Sequence, residues 1–281
     1  MRAGRVLTFA AYEARRAVAR KKVVALVALT ILLDTAPYYA LATTRASIVP
    51  PPFHPFLWIV GVFVPQALFL QFIALLIAAG SMSEEYEQGT AEVLLSKPVS
   101  REEYFSGKFL GGYSLLVSIV ILNAALSIAS ATFVFGPQVE LQILPLTLAA
   151  QSFSALVFFS FAFMVGELMR RSSLSYILSS AVFFTSQILG IYLNLIYSLT
   201  GDGIYKTANL YLPTSPVDSL PLLLSEQSFP SNVLTLFRFG GASPVETSVP
   251  LSAALIAVYA LSATLIALLY FSRMDIAKRV T

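Results

Sequence analysis

Two adjoining stretches decide the fold class: FLWIVGVFVPQALFLQFIALLIAAG (56–80) and, two residues on, SEEYEQGTAEVLLSKPVSREE (83–103). The first is 25 residues without a charge, and a helix that crosses a bilayer needs about 20 such residues. The second is the longest charged stretch in the chain, so it belongs in water at one end of the span. Five more runs of spanning length flank the pair, at 23–43, 111–135, 144–169, 174–199 and 250–271. The reading is an all-α polytopic membrane protein, a single transmembrane domain over 1–281 with six transmembrane helices. An 81–110 loop follows the second span and a 200–249 loop precedes the last.

Composition agrees. Of 281 residues, 57% are hydrophobic and only 12% charged, with a mean hydropathy of +0.78. A soluble domain carries about a quarter charged residues. Half that charge cannot coat a globule of this size, so the excess apolar surface faces something other than water. This excludes a soluble enzyme, a nucleic-acid-binding domain and a disordered chain. No cysteine is present, and the single histidine, His54, rules out any metal or protease site needing two imidazoles. No catalytic or metal-ligating residues are expected.

Basic residues set the orientation. With a cytoplasmic N-terminus, fifteen Lys and Arg fall on the inside and only Arg45, Lys206 and Arg238 outside, as cytoplasmic loops require. Both termini and the 81–110 loop are then cytoplasmic, the 200–249 loop is extracytoplasmic, and the protein is a multi-pass component of the cell membrane. Trp58, Tyr39 and Tyr197 fall near the outer boundary and Tyr113, Tyr176 and Tyr270 near the inner one, depths that suit amphipathic rings. Within 1–22, Val6, Leu7, Ala10, Ala11, Ala14, Ala17 and Val18 share one helical face. Arg2, Arg5, Glu13, Arg15, Arg16 and Arg20 share the other. This pattern predicts an interfacial helix with its arginines against anionic headgroups.

The 83–103 stretch has its own grammar. Gly89 ends the extension of the second span, because glycine tolerates the left-handed turn beyond a helix. Thr90 caps a short helix over Ala91 to Ser96, with Glu92 in its first turn where the helix dipole favours an acid. Pro98 stops that helix, and Ser100 with Glu103 forms a capping box that starts the next. Val93, Leu94 and Leu95 thus ride on a short helix with no core of its own, a patch that asks for a partner.

The run Glu85-x-Glu87-x-Gly89-Thr90-x-Glu92-x-Leu94-Leu95-Ser96-x-Pro98-Val99-Ser100-Arg101, followed by Gly107-Lys108, closely resembles the inner loop of type-2 ATP-binding-cassette (ABC) transporter permeases. The six-span layout, the N-terminal interfacial helix and the large outer loop are similar to that family too. The resemblance implies a permease subunit of an ATP-driven transporter, an exporter. It would pair with a second permease subunit in a homo- or heterodimer and be moved by two ABC ATPase subunits. It implies that Glu84, Glu85, Glu87, Gly89, Thr90, Glu92, Leu94, Leu95, Pro98 and Arg101 form the ATPase-contacting coupling loop. ATP and Mg would sit on the partner ATPase, with no cofactor here. The chain agrees in lacking a phosphate-binding loop: its one Gly-Lys pair, Gly107-Lys108, is followed by Phe109 and has no glycine five positions before it.

Asp34 stands out inside the first span. An acid at that depth faces the protein interior or a cavity, which makes it a candidate substrate-path residue. The alternatives are a carboxyl bonded to Thr30 or Thr35 and a frayed end near Pro37. Gln71, Asn123, Gln151, Gln187 and Asn194 read as packing amides, and Glu167 with Arg170 and Arg171 as a boundary ion pair. In the outer loop Pro213–Asp218 reads as a turn, while Leu220–Leu224 and Val233–Phe239 read as interfacial or re-entrant helices. Two other functions use the same architecture: an ion- or proton-coupled carrier working through Asp34, and an ABC membrane subunit that transmits force without moving substrate.

Overall fold

The computed structural model of the chain describes residues 3–43, 51–96, 99–226 and 247–273. Among the described residues the protein is helical throughout, without strands. Eleven α-helices follow in order: α1 (Ala3–Ala19), α2 (Lys21–Thr43), α3 (Trp58–Pro65), α4 (Gln71–Glu87), α5 (Thr90–Leu95), α6 (Arg101–Phe135), α7 (Leu144–Met169), α8 (Ser172–Thr200), α9 (Gly203–Leu210), α10 (Thr214–Glu226) and α11 (Val249–Arg273). A π turn, Gln66–Leu70, joins α3 to α4 without breaking the path, so one apolar helix runs Trp58–Glu87. That helix, α2, α6, α8, α11 and the stretch Leu141–Met169 containing α7 are the six long and apolar enough to cross a membrane.

The bundle is built around α7, which packs on α4, α6, α8, α10 and α11. Its Phe158, Phe159 and Phe163 are fully buried beside Ile73, Ile77, Phe183 and Phe271. A second cluster of Tyr38, Trp58, Ile59, Val62 and Ile143 fills the far end, opposite α1 and α5. By contrast, α2, α8 and α11 expose rows of large aliphatic residues such as Leu32, Ile188 and Leu265, the composition a lipid-facing helix requires.

Three expectations change. Trp58 is not an exposed belt residue: it is wholly buried, and its Nε1 donates to the Val139 carbonyl at 2.9 Å beneath the Pro51–Phe56 turn. Pro213–Asp218 is not a free turn, because α10 begins at Thr214. Pro216 falls in its first turn, where a missing N–H breaks no helical bond. The third concerns α1. Leu7 and Val18 are exposed, while Val6, Glu13 and Ala17 are buried, so the packed face is rotated from the expected one and carries an acid. Glycines explain the seat: a Cβ on Gly107 would strike Phe9, and one on Gly111 would strike the Ala10 backbone, so only these residues let α1 lie directly on α6. The expected outer helix Val233–Phe239 lies outside the described residues.

Candidate functional site

The short helix of the 83–103 stretch forms. Gly89 takes φ of +66° as the residue that turns the chain from α4 into α5. A Cβ there would meet nothing, so it is the left-handed backbone that calls for glycine. Gly89, not Thr90, is the N-cap, and Thr90 Oγ1 instead donates to the Glu85 carbonyl at 3.4 Å. Past α5 the capping box is present: Glu103 N–H donates to Ser100 Oγ at 3.1 Å and Ser100 N–H to Glu103 Oε2 at 3.3 Å. Ala91 is buried and Leu94 half-buried against the main core, whereas Glu92 is exposed and Val93 is 62% exposed. Pro98 lies outside the described residues.

The helices that carry α5 are tied together by buried charge. Lys108, fully buried on α6, pairs with Glu13 of α1 at 2.6 Å and with Glu85 of α4. Arg16 reaches Glu85 at 2.7 Å, Glu84 at 3.4 Å and Glu13 at 3.7 Å. Arg20 reaches Glu84 at 2.9 Å and Glu13 at 3.1 Å, and also donates to the Ile77 and Gly80 carbonyls. Tyr104 donates to Glu85, and Tyr176 to Glu84 at 2.6 Å. Three carboxylates thus face three cations, the condition under which buried charge is tolerated in an apolar surround. Arg16 and Arg20 are engaged inside the protein and not on headgroups. Their partners Glu13 and Lys108 were missed as site residues. The available signal was that Glu13 is the one acid of 1–22 and is spaced with Val6, Ala10 and Ala17.

The remaining loop residues are also placed. Glu87, exposed, accepts from Ser172 N–H at 3.0 Å and Oγ at 2.6 Å. Arg101 donates to the Ser272 carbonyl at 2.9 Å and the Phe271 carbonyl at 3.3 Å, fixing the start of α6 to the end of α11. Glu167 accepts from Tyr86 O–H at 2.8 Å, with Arg170 over the Tyr86 ring. Every one of these contacts stiffens the frame around α5.

At the far end, Asp34 is 4% exposed and neither carboxyl oxygen has a hydrogen-bond partner among the described residues. Thr30 and Thr35 donate to the Leu26 and Ile31 carbonyls, each at 2.8 Å, not to Asp34. The helix does not fray at Pro37 but continues to Thr43. The carboxylate lies against Gly61, where a Cβ would collide with Asp34 Oδ1 and Ser127 Oγ. Among the described residues, no group of three His, Asp or Glu side chains is arranged to hold a metal.

The family model for ABC-2 family transporter proteins matches residues 7–276. The chain therefore belongs to that family: it is a multi-pass permease subunit of an ABC transporter in the cell membrane, not itself catalytic. No curated protein matches it.

Proposed function

We propose that this permease is the membrane half of an exporter, moved by two separate ATPase subunits that grip α5 and paired with a second permease subunit, identical or not. ATP and Mg belong to the ATPases. One observation carries the reading: α5 holds Glu92 and Val93 outward while the helices on both sides of it are locked by a cluster of six charges, three buried and three half-buried. An exposed knob on a stiff mount is what force transfer needs, because packed helices pass on rigid-body displacement and do not absorb it.

The contact surface is narrower than the family run. Glu87, Gly89, Glu92, Val93 and the outer edge of Leu94 meet the ATPase, an apolar knob with acidic flanks that fits a groove with a basic rim. The short helix ends at Leu95, with Ser96 as its C-cap. Glu84, Glu85, Thr90 and Arg101 hold the mount. The cargo path passes Asp34.

The test is co-purification of the ABC ATPase with the permease from native membranes. Val93→Glu with Leu94→Glu loses the ATPase while the permease stays folded. Retention of the ATPase by the double variant overturns the docking assignment.

A further inference from the structure

Asp34 differs from the other buried acids in having nothing among the described residues to balance it. It sits 13 residues beyond Lys21, about 20 Å along the helix, and so past the midplane of a hydrocarbon core about 30 Å thick. The donors around it are engaged elsewhere. Gly61 N–H donates to Tyr38 Oη at 2.9 Å, and Ser127 Oγ to the Trp58 carbonyl at 2.7 Å. Tyr38 O–H lies 3.0 Å from the Leu57 carbonyl and 2.8 Å from Ser127 Oγ. Asn123 Nδ2 donates to the Gly61 carbonyl at 3.1 Å, leaving its own Oδ1 buried and unpartnered. Three acceptors remain without a donor: Asp34 Oδ1, Asp34 Oδ2 and Asn123 Oδ1.

The backbone nearby is irregular. Pro37 lies inside the continuous helix α2, and Gly61 is followed by Pro65 and the π turn Gln66–Leu70. At membrane depth, broken backbone is tolerated where it is buried in protein or lines a cavity, and π turns gather at functional sites.

We propose that the Asp34–Asn123 notch is the subsite for the protonated primary amine of an amphipathic cargo. Three acceptors match the three N–H bonds of an ammonium, which also supplies the missing positive charge. A neutral hydroxyl would satisfy one acceptor and leave the charge, and a quaternary ammonium would bring charge without donors. The proposal rests on the reading that cargo passes Asp34, yet binding needs no ATPase, so the two can fail separately.

Trp58 supplies the probe: it is the chain's single tryptophan, fully buried, with its carbonyl bonded to Ser127. The full chain in lipid nanodiscs is titrated with dodecylamine at neutral pH while Trp58 emission is followed. The expected result is a saturable change that neither dodecyltrimethylammonium nor dodecanol produces. Asp34→Asn raises the apparent dissociation constant at least tenfold, in line with a lost charge-assisted contact, and Asn123→Ala raises it about threefold. A flat titration of the wild-type chain, the same response to all three amphiphiles, or a response unchanged in Asp34→Asn overturns the proposal. If Asp34→Asn does not fold, the ranking of the three probes on the wild-type chain decides. A negative result with the ATPase still co-purifying removes the ammonium subsite and leaves the docking surface standing.

Discussion

Glu85 and Asp34 are both acids sealed inside an apolar bundle, one at the α5 end and one at the far end, and they are held in opposite ways. Glu85 touches Lys108, Arg16 and the Tyr104 hydroxyl. Among the described residues, Asp34 touches no cation and accepts no hydrogen bond. An unpaired charge in low dielectric is unfavourable by several kcal/mol, so burial alone does not report a role; the partner list does. Full pairing makes the α5 end a rigid mount. At the far end no partner is present among the described residues, and that is where we propose the ammonium binds.

Removing one charge at each end should have opposite effects on stability. Lys108→Met takes the cation from the centre of the cluster and leaves three carboxylates facing two arginines. The expected loss is about 3–5 kcal/mol of stability, read as a lower unfolding midpoint in mixed micelles. A loss below about 1 kcal/mol would mean the cluster is hydrated and is no mount.

Asp34→Asn is expected to act in the other direction. Without added amine it raises the unfolding midpoint, by about 1–2 kcal/mol, because a buried charge with no partner is replaced by a neutral group of the same shape. A drop in stability instead would show that Asp34 has a partner in the resting chain.

Asp218 on α10 is the intermediate case and sharpens the scale. It is partly exposed as a residue, yet its Oδ1 is sealed and unpartnered among the described residues, while Gln187 Nε2 donates to its Oδ2 at 3.4 Å. Burial pushes its carboxyl up to about 7, with the Gln187 bond pulling the other way. The folded state then holds this proton where the unfolded chain releases it near 3.8, so the contribution is full below that pH and declines as pH rises through about 7. The difference in midpoint between wild type and Asp218→Asn, followed from pH 4 to about 8, should widen with pH in favour of the variant. A difference that does not change with pH would place Asp218 in water.

Features set by local chemistry were legible in the sequence. Each of the six runs overlaps a helix long and apolar enough to span, because apolar length alone suffices to find it. Gly89 and the Ser100–Glu103 box mark α5 and the start of α6, because a cap joins residues three or four apart. The rotation of α1 was not legible. Its seven small and apolar residues suggested one face, but the glycines that decide which face can pack, Gly107 and Gly111, lie about 100 positions away on α6. The kind of acid Asp34 is was equally hidden: sequence marks it as costly at that depth, and only its neighbours' engaged donors show that nothing answers it.

What the sequence determined by itself is the six spanning runs and the breaks around α5, since hydropathy and capping act within a turn or a span. Tertiary structure alone decided which charges are mount and which is notch. Lys108 and Glu13 are 95 residues apart and Arg16 and Glu84 are 68 apart, and an ion pair depends on separation in space, which the order of residues along the chain does not fix.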